Sequence, residues 1–210
     1  MLKHTVYIIA MAGVLAAAPA SADTVSDFED ILSWVGQGDN ESALVLDWNG
    51  GPTPRSLVWG YRWSAGDAPT AADMLTDIVA ADGRLNGRVQ DFGGGLGMAV
   101  YGLGYDLNGD GTLPTVREET VGADTAGDHW ADGWLSAGYW SQWFDDGAGW
   151  VSGMGVSNRD LVDGGWDGLS FGPGFNVEAP SPGEAATPEP ASLGLLALGL
   201  GAVLARRRKG

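Results

Sequence analysis

From residue 43 to residue 63 the chain alternates with period two, and that pattern commits it to a sheet. Leu44, Leu46 and Trp48 share one face of a first run. Leu57, Trp59, Tyr61 and Trp63 share a face of a second, with Gly60 and Arg62 opposite. Asn49-Gly50-Gly51-Pro52 between them is turn chemistry, so the two runs read as a hairpin. A third strand is predicted over Ile31–Val35, ahead of the polar loop Gly36–Ser42. Thr70–Asp82 is predicted as a helix, with Thr70 as its cap, Asp73 as the capping-box acid and Gly83 as its stop. Its stripe of Met74, Leu75, Ile78 and Val79 suits packing on a sheet. Short strands then recur over Arg88–Phe92, Leu96–Leu103, Tyr139–Phe144, Trp150–Val151 and Trp166–Phe171, separated by glycine-rich turns. The expected class is therefore α+β, one small domain with a mainly antiparallel sheet and one principal helix.

Charge limits the partners. The chain carries 27 Asp and Glu against 11 Lys and Arg, a net −16. All 27 acids but only six of the basic residues, none of them lysine, fall between residues 23 and 189. Such a domain offers no basic face to nucleic acid or to an acidic membrane surface. Ten tryptophans argue against wholesale disorder, and the lack of cysteine excludes a disulfide scaffold and thiolate chemistry.

The ends differ from the middle. Residues 1–22 read as a secretory signal: Lys3 and His4, an apolar run from Val6 to Ala18, and a small-residue cleavage site at Ala20-Ser21-Ala22. That run is shorter than the ~20 residues a membrane span needs. Residues 23–177 form the acidic mature domain, and 178–187 read as a solvated Pro/Glu/Ala-rich linker. Residues 188–210 begin with Pro188-Glu189-Pro190, continue through an uncharged run from Ala191 to Ala205, and close on Arg206-Arg207-Arg208-Lys209. A helix of that run would rise roughly 22 Å, short of a hydrocarbon core of about 30 Å, which suits a transient transmembrane helix. The basic cluster would stay cytoplasmic.

That order of elements resembles the PEP-CTERM sorting signal of exported bacterial proteins. The resemblance implies recognition by the membrane protease exosortase after passage through the general secretion machinery, with residence at the cell surface or outside it. Trp34-Val35-Gly36-Gln37-Gly38, Leu44 to Trp48 and Trp59 to Trp63 are similar to a group of secreted bacterial proteins, several with the same tail. The later order resembles transcobalamin-like C-terminal domains: helix, Gly93 to Gly97 with a strand, Tyr139 to Trp143, then Leu161-Val162-Asp163-Gly164. That likeness bears on fold and implies no ligand.

Several patterns invite a chemical reading beside a structural one. Asp106, Asn108, Asp110 and Thr112, with Gly111 at position six, resemble the first half of an EF-hand or dockerin calcium loop. The twelfth residue is Arg117 and a carboxylate, Glu118, comes one later; the alternative is a solvated turn. Gly168-Leu169-Ser170-Phe171-Gly172 matches a nucleophile-elbow pattern, but Pro173 follows and no histidine lies downstream, so it reads as chance. His129, flanked by Asp128 and Asp132, reads as a surface loop residue. Glu118-Glu119 and Asp145-Asp146 are acid pairs that a secreted carboxylate-dependent hydrolase would need, though 27 acids make such pairs commonplace. Trp59, Tyr61 and Trp63, or Trp140 and Trp143, are the candidates for stacking on a glycan or another flat ligand, against core packing as the alternative. The expectation is a non-enzymatic exported protein of the cell surface or matrix, without a cofactor unless Ca²⁺ binds, and with extracellular polysaccharide as a candidate partner.

Overall fold

The computed structural model describes residues 24–93, 97–111, 127–134, 138–172 and 178–186. In chain order these form β1 (Trp34–Gly36), β2 (Asn40–Asp47), β3 (Ser56–Trp63), α1 (Ala71–Ala81), β4 (Leu85–Asp91) and β5 (Met98–Tyr105). There follow β6 (His129–Asp132), β7 (Tyr139–Asp145), β8 (Val151–Ser152), β9 (Gly165–Gly172) and β10 (Glu184–Ala185).

The expected hairpin forms the centre of the larger sheet. β2 and β3 pair antiparallel with Leu44 opposite Trp59 and Leu46 opposite Leu57, so the two alternating runs build one continuous apolar face. Asn49 takes a left-handed backbone at φ 55° in the turn, as an Asn-Gly sequence favours. β1 and β10 each run parallel along β3, and β9 runs parallel along β2 before pairing antiparallel with β7, which in turn pairs with β8. β4, β5 and β6 make a separate antiparallel sheet of three strands.

The α+β expectation needs correction here. The described residues are mostly strand and fall into two sheets, and the larger sheet mixes parallel with antiparallel pairs. The single α-helix stands where it was expected, but it covers only part of the large sheet's inner face. The small sheet covers the rest: Leu85, Val100, Leu103, Tyr105 and Ala131 join Met74, Leu75 and Ile78 of α1 over Trp59, Trp63, Leu44 and Leu46. One helix of 11 residues is about 16 Å long, too short to cap an aromatic face this wide.

The outer face is buried as well. Ala43, Val45 and Val58 lie under Val25, Ile31 and Ala185, with Phe28, Trp34, Trp150 and Trp166 around them. The segment expected as a solvated linker supplies part of that cover. Ser181 donates its backbone N–H to the buried Asp47 carboxylate at 2.7 Å, and the Ala186 N–H reaches the Val58 carbonyl at 2.9 Å. A strand pairs through its backbone, so a Pro/Glu/Ala composition does not prevent it.

The capping box is complete. The Asp73 carboxylate accepts from the Thr70 N–H and hydroxyl, each at 2.8 Å, while the Asp73 N–H reaches Thr70 Oγ1. Thr70→Ala is expected to cost about 1 kcal/mol, read as a lowered midpoint in a urea titration with unchanged slope.

Four arginines each meet both an acid and an aromatic ring. Arg62 pairs with Glu41 and lies over the Trp34 ring, and Arg88 clasps the buried Asp132 and lies over Tyr101. Arg159 bridges Asp146 and Asp167 over Phe144. Arg84 stands over Tyr105 beside Asp82.

Candidate functional site

The aromatic candidates separate into two groups. Trp59 is fully buried, and its indole N–H donates to Asp82 Oδ2 at 3.0 Å. The Tyr61 hydroxyl donates to Asp77 Oδ2 at 2.7 Å, and its ring stacks on buried Trp63. Burial, then the Asp77 hydrogen bond, pushes the Tyr61 hydroxyl well above the usual phenol range. All three lie in the core beneath α1, where no glycan can reach them.

Trp140 and Trp143 do meet a cavity. A cleft of about 610 Å³ opens where β5 of the small sheet faces β7 and β8 of the large one. Trp140, Leu169, Val100 and Val156 form its deep part, and Trp134, Tyr139, Phe92 and Met154 its rim. Trp134 is 37% exposed and tilts against Tyr101, with ring centroids 5.0 Å apart; Phe92 and Met154 are exposed too. Trp140 is held by its indole N–H, which donates to the Ala131 carbonyl at 3.1 Å, and by edge contact with Trp48. Gln142 lines the same cleft, and its buried side-chain Oε1 has no hydrogen-bond partner. That oxygen is packed against Gly153, where a Cβ would overlap it, so the surface the cleft offers a ligand is its exposed aromatic and apolar rim. Trp134, Met154 and Gln142 carried no signal in the sequence, since two sit in irregular loops and the third alternates with aromatics as a core polar residue would.

The calcium-loop residues stand at a second place. Asp106, Asp110 and Asp128 each bring a carboxylate oxygen within 4.8 Å of the others. Asp106 Oδ1 accepts from the N–H groups of Gly109 and Asp110, its Oδ2 accepts from Gly111, and Asn108 Oδ1 accepts from Asp110. Gly109 and Gly111 hold left-handed backbone at φ 71° and 78°, which lets the loop curl around Asp106. Burial pushes the Asp128 carboxyl up, against backbone hydrogen bonds from Asn108 and Leu107, and the charges of Asp106 and Asp110 push it the same way as burial. Asp128 was not among the ligands expected from the loop, because it stands just before β6, 22 residues after Asp106. Thr112 and Glu118 lie outside the described residues.

The remaining patterns are structural. Ser170 sits buried within β9, accepts from the Asn49 amide, and has no strand-to-helix turn after it among the described residues. His129 is not a surface residue: it is fully buried, stacked on Trp48 with centroids 4.4 Å apart, and its Nε2 lies 2.7 Å from the Pro54 carbonyl. Its acidic neighbours pointed to solvent, but Asp132 is buried against Arg88. Asp145 accepts from the N–H groups of Gly147 and Gly149, and Asp146 pairs with Arg159. Glu118-Glu119 lies outside the described residues, as do the signal at 1–22 and the tail residues Pro188, Glu189, Pro190, Arg206, Arg207 and Arg208. Among the described residues no helix is long and apolar enough to cross a membrane.

No curated protein and no solved structure matches the chain, so the likeness to transcobalamin-like domains carries no further argument. Residues 186–209 match the PEP-CTERM protein-sorting motif, and with that tail the chain is an exported bacterial protein sorted by exosortase at the membrane.

Proposed function

We propose that this exported protein is a non-enzymatic binding protein of the cell surface or extracellular matrix. Its cleft between the two sheets takes a flat, hydroxyl-bearing ligand, such as a stretch of extracellular polysaccharide. The observation that carries this reading is exposed Trp134 at the rim of one mostly apolar cleft, with exposed Phe92 and Met154 beside it. A sugar ring presents an apolar face for stacking on such an aromatic. The strongly acidic composition favours a neutral glycan over a polyanionic one. The described lining of the cleft includes no Asp or Glu, so it offers no acid for carboxylate-dependent hydrolysis.

The test is a fluorescence titration with extracted exopolysaccharide, read on the ten tryptophans. The expected result is a saturable change in the wild type. Trp134→Ala should weaken binding about tenfold, as loss of an exposed aromatic anchor does, with the melting temperature moved by less than about 2 °C. An unchanged wild-type spectrum together with no pull-down on immobilised polysaccharide would sink the reading.

A further inference from the structure

We propose that Asp106, Asp110 and Asp128 hold a Ca²⁺ ion, with Asp128 supplying the carboxylate that the loop pattern lacks at its twelfth residue, Arg117. Three carboxylates converge within 4.8 Å, and two of them, Asp106 and Asp128, are removed from solvent. Convergence of acids alone would mean little. The second observation is Asp128 itself: the residue is 3% exposed, and its Oδ1 is buried with no hydrogen-bond partner. A buried carboxylate oxygen without a donor is rare in a folded protein, and a bound ion is one of the few things that explains it.

The donor set chooses the ion. All three ligands are carboxylates, and Asn108 stands in the same loop with its Oδ1 on the Asp110 N–H. Hard oxygen donors in an irregular loop suit Ca²⁺, which accepts variable geometry; Mg²⁺ demands a near-ideal octahedron, and softer metals want nitrogen or sulfur. The nearest histidine, His129, has its ring stacked on Trp48. Asp110 is exposed, so the ion would keep water on that side. The ion would also join two parts of the chain. Asp106 and Asp110 follow the end of β5, and Asp128 immediately precedes β6, the strand paired with β5. Binding would pin the root of the long connection between those strands.

The test is calorimetric titration of the chelator-treated exported protein with CaCl₂, in parallel with thermal melts. One Ca²⁺ per chain is expected, with the melting temperature rising by about 5 °C in millimolar Ca²⁺ and by less than half of that in equal Mg²⁺. Asp128→Asn should weaken Ca²⁺ binding by about 30-fold or more while melting no lower than the wild type in chelator, because it removes a repelled buried charge. Asp110→Asn, an exposed change that leaves the fold alone, should weaken binding about tenfold and keeps the test open if Asp128→Asn fails to fold. Absence of both heat and thermal shift in the wild type, an equal response to Mg²⁺, or wild-type affinity in either variant would overturn the proposal.

Discussion

Arg159→Met is expected to cost about 3–5 kcal/mol at pH 8, because it strands a buried carboxylate. Arg159 Nε donates to Asp167 Oδ1 at 3.1 Å, and the far side of its guanidinium holds Asp146. Asp167 is only 1% exposed, so its charge has no water to fall back on. Burial already pushes the Asp167 carboxyl up to about 6, against the lowering effect of Arg159. The sign of the pH dependence follows. A carboxyl that titrates higher in the folded chain than in the unfolded one binds its proton more tightly when folded. Its contribution is complete below the unfolded value and is lost as pH rises through about 6. Removing Arg159 raises that folded value further, so the penalty should be smaller at pH 5, where Asp167 is neutral in the variant, than at pH 8. Denaturant titrations at the two pH values check this; equal losses at both would show that Arg159 acts by packing on Phe144 and not by its charge. The Arg159 carbonyl also accepts the Ala71 N–H at the start of α1, so loosening here should reach the helix.

Trp59→Ala is expected to cost about 3–5 kcal/mol from cavity formation alone, with a further cost for the orphaned Asp82 carboxylate. The indole lies edge-on to Tyr105, with centroids 5.6 Å apart, and so joins the large sheet to the small one. For a domain of this size the melting temperature should fall by about 10 °C or more. Trp59→Phe keeps most of the ring and drops the N–H donor, so about 1–2 kcal/mol of loss would isolate the hydrogen bond to Asp82. Glycan affinity of Trp59→Phe should equal that of the wild type. A loss of binding without a loss of stability would return Trp59 to the list of ligand contacts.

What could be read from the sequence was local. The β2–β3 hairpin is written in two alternating runs and an Asn-Gly turn, and α1 in a capping box and an apolar stripe. The parallel pairings of β1 and β10 with β3, and of β9 with β2, join residues far apart and leave no periodic trace. The same limit hid the second sheet. His129–Asp132 looks like an acidic loop because nothing in that stretch announces that Trp48 will cover the imidazole or that Arg88 will neutralise Asp132. Alternation showed that Trp59, Tyr61 and Trp63 share a face; it could not say that α1 and the small sheet lie on it. Trp140 and Trp143 both line the cleft, but three positions apart on β7 they leave the strand on opposite faces, and Trp140 belongs to the core. Asp128 escaped notice since a metal loop is recognised by spacing, and its carboxylate arrives from a distant part of the chain, just ahead of β6.

The fold runs directly into the sorting motif. Glu184–Ala185 is a strand on β3, Ala186 is buried, and the motif match starts at that same residue. Only four residues, Thr187 to Pro190, separate Ala186 from the apolar run that begins at Ala191, a span of five Cα steps. Fully extended they reach about 17 Å, which is the length of leash between the folded surface and the lipid while the tail is intact. The pole on that leash is acidic: Glu184 lies there, and Thr24 and Val25 strap the turn carrying Asp27, Glu29 and Asp30 to the same strand. Within a Debye length of anionic headgroups that pole would be repelled, and at the leash's full reach the repulsion is largely screened. Exosortase would therefore meet its motif on a tether that holds the folded surface no farther than that from the lipid.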